Sequence, residues 1–103
     1  MKTWRERIAE ARERGEATPE DLYLARDYLR CVVGETAMRF DLSYHELSFD
    51  IRLNAHPFVG MHPVAGAFPV ALSNKCFDVA EDILDAIEDR ALELKRQHQE
   101  SHP

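Results

Sequence analysis

Apolar residues spaced three and four positions apart predict α-helices along most of the chain. The clearest run lies near the C-terminus and consists of Phe77, Ala80, Leu84, Ile87, Ala91 and Leu94. This spacing places the residues on one face of a helix. Acidic residues stand near the start of the run, and Lys95 and Arg96 stand near its end, as the helix dipole favours. We predict that the other helices pack around this one.

Paired cap residues predict where the first two helices begin. Thr3 with Glu6, and Thr18 with Asp21, have the spacing of a capping box. In that motif the hydroxyl accepts a backbone N–H bond while the carboxylate reaches back to the cap residue. Gly15 is suited to end the first helix, because glycine readily adopts the left-handed conformation found there.

Residues 43–54 fit two kinds of secondary structure. Apolar residues alternate with polar ones at Leu47, Phe49, Ile51 and Leu53, as they do in a half-buried strand. However, Ser43 and Glu46 form a third capping-box pair, and a single strand would have no partner elsewhere in this chain. We therefore predict a helix, and the alternative is a strand that pairs with its copy across a dimer axis.

Residues 54–74 contain no Asp, Glu, Lys or Arg, in a chain that is otherwise rich in charge. Three six-residue units align within them, HPFVGM, HPVAGA and FPVALS, each with proline at its second position. Proline disfavours the α conformation at the preceding residue, so extended or turn backbone is expected at residues 56, 62 and 68. We expect this segment to be buried, either in the core or between subunits, with Pro69 kinking a helix that runs to about Leu72.

These patterns together predict an all-α, single-domain bundle of four or five helices with a proline-interrupted apolar segment. The domain is expected to span residues 1–97, followed by a frayed tail over residues 98–103. The candidate core or interface residues are the large apolar side chains Trp4, Phe58, Met61, Phe68 and Phe77.

Composition narrows the classes of function. A chain of 103 residues is the usual size of one domain. The formal charge of −6 disfavours nucleic acid and anionic membranes as partners, and no apolar run reaches the length of a membrane span. The first thirteen residues are charged and amphipathic, unlike a signal peptide. We therefore expect a cytoplasmic protein with Cys31 and Cys76 reduced.

A metal site is the sharpest chemical hypothesis. The candidate zinc ligands are Cys31, His45, His56 and His62, with Cys76 as an alternative thiolate and Glu35 and Glu46 as further oxygen ligands. Structural zinc sites usually gather their ligands in close pairs, and no C-x₂-C or H-x₃-H pair occurs in this sequence. We therefore keep the metal site as an alternative and expect no cofactor.

Catalytic motifs are missing from the sequence. There is no glycine-rich phosphate loop, G-x-S-x-G or H-E-x-x-H. Cys31 lies within the apolar part of the second helix, so we expect a small buried side chain there and not a reactive thiolate. We accordingly expect the protein not to be an enzyme.

The last helix carries enough acidic residues to suggest a different activity, the mimicry of DNA. A row of carboxylates on this helix would mimic the phosphates of DNA if they cluster on one face. The residues in question are Asp78, Glu81, Asp82, Asp85, Glu88 and Asp89. An ordinary solvated helix surface explains the same residues.

The two ends of the chain resemble those of small uncharacterised bacterial helical proteins. The matching features are Trp4-Arg5 with Ile8 and Ala11, a C-x-V-G-E motif that reads CVVGE over residues 31–35, and the ending FDVAEDILDAIEDRALELK. The resemblance implies an intracellular helical protein and carries no known activity. It makes Cys31, Gly34 and Glu35 the positions of most interest.

We therefore expect a small acidic protein that acts by self-association, as a homodimer, or by docking onto a protein partner. The first alternative is a metal- or small-ligand-binding protein that uses Cys31, His45, His56 and His62. The second is an acidic inhibitor that mimics DNA.

Overall fold

The computed structural model describes residues 2–55 and 67–101, and these residues form α-helices joined by short turns. The helices are α1 (Trp4–Arg14), α2 (Pro19–Arg39), α3 (Tyr44–Asn54), α4 (Ala67–Ser73) and α5 (Phe77–Ser101). No strand occurs within these two ranges. The predicted all-α bundle is confirmed, and so is the choice of helix over strand for residues 43–54. Helix α5 continues to Ser101, beyond the domain boundary placed at residue 97.

The caps of α1 and α2 are complete. The Thr3 hydroxyl accepts a bond from the Glu6 N–H at 3.2 Å, and the Glu6 carboxylate accepts one from the Thr3 N–H at 3.2 Å. Thr18 and Asp21 exchange the same two bonds at the start of α2, at 3.0 and 2.9 Å. Gly15 ends α1 in the left-handed region, with φ of 78°. Both predicted capping boxes are confirmed.

The third predicted capping box is only half formed. The Ser43 hydroxyl accepts a bond from the Glu46 N–H at 3.0 Å, which caps α3. The Glu46 carboxylate contacts the His98 ring of α5, and within the described residues it makes no return bond to the Ser43 N–H. The second half of that prediction was wrong because a tertiary contact takes the carboxylate.

Helix α5 is the centre of the bundle, as predicted. It packs against each of the other four helices, and its own residues Ala80, Ile83, Ile87 and Ala91 are fully buried. Trp4 of α1 and Phe68 of α4 meet edge-on, with ring centroids 5.6 Å apart. Among the candidate core or interface residues, Trp4, Phe68 and Phe77 are buried, whereas Phe58 and Met61 lie outside the described residues.

The uncharged segment is represented in the described chain by α4 and the residues beside it. Phe68, Ala71 and Leu72 are buried, so this face of α4 behaves as the sequence predicts, but Val70 is half exposed. Phe68 is helical although it precedes Pro69, so the expectation of extended or turn backbone there was wrong. Pro69 lies in the first turn of α4, where a missing N–H removes no helical bond and no kink is required.

Candidate functional site

An exposed apolar cluster lies beside a concave surface on α3. His45, Phe49 and Leu53 follow one another at one-turn spacing, and the rings of His45 and Phe49 stack with centroids 6.5 Å apart. Phe49 is 52% exposed and Leu53 is 55% exposed. With Leu94 of α5 these residues line a shallow cleft of about 360 Å³. We call His45, Phe49, Leu53 and Leu94 the α3 patch.

The sequence of α3 explains why apolar side chains remain outside. Leu47 and Ile51 are one turn apart and completely buried against the bundle. Phe49 and Leu53 are each two residues further along, so they lie roughly 200° around the helix on the opposite side. The alternating pattern that suggested a strand is therefore a helix with an inner and an outer apolar face.

Two acid–base contacts fasten α3 to α5 beside the patch. Asp50 accepts two bonds from Arg90, from Nε at 2.6 Å and from Nη2 at 3.0 Å, in a partly buried position. This hydrogen bonding raises the pKa of the Arg90 guanidinium, outweighing the effect of its burial. The second contact joins Glu46 to His98. Both carboxylates that border the patch are thus matched by a base of α5.

The proposed metal ligands are not assembled by the described part of the fold. Cys31 is exposed on α2, and His45 belongs to the α3 patch. His56 and His62 lie outside the described residues. Within residues 2–55 and 67–101 there is no group of three or more His, Cys, Asp or Glu side chains that could hold a metal ion.

The expectation that Cys31 is buried was wrong. Cys31 is exposed, because it is two residues past Leu29 and so lies on the opposite side of α2 from that buried residue. Glu35 lies one turn further along and is also exposed. Gly34 is in the helix interior, where an added Cβ would meet the Tyr44 ring at 3.7 Å, an ordinary contact distance.

Most of the acidic residues of α5 face arginines of the same chain. Arg12 contacts Asp78 at 2.7 Å and Glu81 at 3.1 Å. One turn or two further along α5, Arg5 contacts Asp85 at 2.6 Å, and Arg39 contacts Glu88 at 3.1 Å. Of the six acids considered as a phosphate mimic, Asp82 and Asp89 alone have no ion pair within the described chain. These ion pairs join α5 to α1 and α2, and we call them the ion-pair ladder.

Sequence reasoning missed Phe49 and Leu53 as surface residues. A helical wheel of residues 44–54 separates Leu47 and Ile51 from Phe49 and Leu53, but it does not say which of the two pairs is exposed. A two-residue period is typical of a strand, but on a helix it places neighbouring apolar residues on opposite faces.

Comparison with known proteins finds no relative of this chain. No protein-family model, no curated protein sequence and no solved structure matches this chain. Among the described residues, no helix has both the length and the apolar character needed to cross a membrane.

Proposed function

We propose that this protein is a non-enzymatic cytoplasmic protein that acts by self-association, and that it forms a homodimer through the α3 patch. The observation that carries the proposal is the exposure of Phe49 and Leu53, one turn apart on a helix and beside a cleft. Contiguous exposed apolar side chains with a polar rim are typical of protein–protein contact surfaces.

A second copy of the chain suits the patch because its spacing is symmetrical. His45 and Leu53 each stand four residues from Phe49. A two-fold axis through Phe49, with the two α3 helices antiparallel, would bring Phe49 onto its own copy and Leu53 onto His45 of the partner. Such self-complementary two-fold contacts are the commonest arrangement in homo-oligomers.

Charge at the rim permits this contact between two acidic chains. Each chain carries a formal charge of −6, so two copies repel at long range. At the patch itself, Asp50 is paired with Arg90 and Glu46 contacts His98. The local repulsion between the contacting surfaces is therefore smaller than the total charge implies.

Sedimentation velocity over a micromolar concentration series tests the proposal. The monomer mass is 11.9 kDa, and we expect the wild-type chain to approach twice that mass at the highest concentrations. Phe49→Glu and Leu53→Glu would each place a charge in the contact, and should weaken dimerisation about tenfold or more.

Val79→Glu is the matched control. Val79 is also apolar and 46% exposed, but it lies in the first turn of α5, away from the patch and where an acid suits the helix dipole. This variant should dimerise like the wild type. A wild-type chain that stays monomeric throughout the series, or equal weakening by Val79→Glu, would contradict the proposal.

A further inference from the structure

A second cleft lies on another part of the bundle, where α1, α2 and α5 meet. Its volume is about 290 Å³, close to the lower end of the range of small-molecule pockets. Val32 and Leu84 contribute apolar surface, while Glu35, Arg39 and Glu88 contribute charge. None of its lining residues belongs to the α3 patch.

Trp4 lines this cleft and also carries a buried hydrogen-bond donor. The side chain is only 6% exposed, and its ring meets Tyr28 edge-on with centroids 4.6 Å apart. Its indole Nε1–H is buried and has no hydrogen-bond partner within the described part of the chain. A buried donor without an acceptor is destabilising, so the packing around Trp4 is the part of this cleft wall that is not satisfied by the described part of the protein itself.

Two guanidinium groups converge at the same cleft. Nη2 of Arg5 lies 3.6 Å from Oε1 of Glu88, and Nη2 of Arg39 lies 3.1 Å from the same oxygen. Arg5 also binds Asp85 through Nη2 at 2.6 Å. A guanidinium has five N–H donors, and the described protein contacts of both arginines use Nη2 alone. Both side chains therefore keep donors for a further acceptor.

We propose that this cleft binds a small organic monocarboxylate with a short apolar body. The carboxylate accepts hydrogen bonds from the remaining donors of Arg5 and Arg39, which suit a planar carboxylate. The apolar body packs on Val32 and Leu84, beside the Trp4 side chain that also lines the cleft.

The formal charges that line the cleft cancel. Arg5 and Arg39 are balanced by Glu35 and Glu88, so the formal sum over these four residues is zero. For a doubly charged phosphate the attraction to the arginines and the repulsion from the glutamates both double, so a carboxylate is favoured by its planar shape and not by its charge. The volume of about 290 Å³ suits a small ligand.

The test uses the full chain labelled with ¹⁵N and titrated with sodium hexanoate at constant ionic strength. Trp4 is the single tryptophan of the sequence, so its indole N–H gives one NMR signal that reports directly on the cleft. We expect that signal to shift saturably with hexanoate and to stay in place when sodium chloride replaces it.

Variants test whether the hexanoate that shifts the indole signal binds in the cleft. Arg39→Gln should weaken binding about tenfold or more, because it removes a charge-assisted contact. Glu35→Gln should strengthen binding, because it removes a repulsive charge from an exposed position. Arg26→Gln, at an exposed arginine of α2 that does not line the cleft, should leave binding unchanged. The melting temperature of each variant shows whether it is folded.

Specific outcomes would overturn the inference. An indole signal that does not respond to hexanoate would mean that the cleft does not bind a monocarboxylate. Saturation by inorganic phosphate without a response to hexanoate would exclude the carboxylate class. Binding that Glu35→Gln and Arg26→Gln alter equally would place the ligand elsewhere. Because the α3 patch is not involved, none of these results depends on the homodimer.

Discussion

At the scale of single residues, Asp21 combines a negative charge with a nearly buried position. It is nearly buried, and its carboxylate accepts bonds from the Thr18 N–H at 2.9 Å and from Nη2 of Arg14 at 2.8 Å. Burial by itself would raise the pKa of Asp21, but the bonds from Thr18 and the charges of Arg14 and Arg7 outweigh it and lower that pKa. One side chain thus caps α2 and joins it to the end of α1.

We predict that Asp21→Asn destabilises the fold by about 1–2 kcal/mol at neutral pH, since it removes the charged acceptor. The folded-state pKa is lower than the unfolded value of about 4, so the stabilisation is present above that value and is lost as the pH falls through the folded-state pKa. Urea unfolding of variant and wild type between pH 7 and pH 3 should show a difference that shrinks below about pH 4.

Asp27→Asn provides the matched control, because Asp27 is exposed on the same helix and has no ion pair within the described residues. Its effect should stay within about 0.5 kcal/mol. A loss for Asp21→Asn that does not change with pH would mean that the charge of Asp21 contributes nothing.

At the scale of elements, Gly34 shows whether intrinsic helix propensity governs stability inside α2. It lies inside the 21-residue helix α2, and nothing in its surroundings requires the absence of a Cβ. Glycine in a helix interior costs roughly 0.5–1 kcal/mol relative to alanine. We predict that Gly34→Ala stabilises the protein by about this amount and raises the melting temperature by several degrees, as calorimetry can measure.

Gly15 offers the opposite case for comparison. Its φ of 78° is a conformation that side chains rarely adopt, so Gly15→Ala should lower the melting temperature. If Gly34→Ala also lowers it, the C-x-V-G-E motif requires glycine for a reason beyond the geometry of α2.

Helix α3 shows what element-level reasoning leaves open. Its type and its start at Ser43 followed from the sequence, because hydrogen bonding by a serine at the cap is local. Which of its two apolar faces is buried did not follow. That choice depends on the position of α5, where Arg90 meets Asp50 and His98 meets Glu46.

At the scale of the whole molecule, α4 allows the contribution of core burial to stability to be measured. Phe68 is fully buried between Trp4 and the helices around it, whereas Val70, two residues later, is 54% exposed. We predict that Phe68→Ala lowers the free energy of unfolding by about 3–5 kcal/mol, because it leaves a cavity beside Trp4. Chemical denaturation measures this loss.

Val70→Ala is the control on the same short helix. It removes exposed methyl groups and should change stability by no more than about 0.5 kcal/mol. Equal effects of the two substitutions would mean that burial of α4 does not hold the bundle together.

The ion-pair ladder is also a property of the whole molecule. The sequence showed a row of acids on α5, which an ordinary solvated surface explained and a DNA mimic also fitted. In the fold, Arg12 and Arg5 of α1 lie along this row, 66 and 80 residues from Asp78 and Asp85 in the chain. No local pattern encodes pairing over such separations.

The sequence by itself determined the helical class, the caps at Thr3, Thr18 and Ser43, the stop at Gly15 and the central position of α5. These features follow from hydrogen bonds and apolar spacing within a few residues, which act wherever the segment is placed. The tertiary structure alone decided that Cys31 is exposed, that Phe49 and Leu53 lie outside, and that Arg5 and Arg39 meet at Glu88. Such outcomes depend on which helices become neighbours, and that is set by the packing of the whole core.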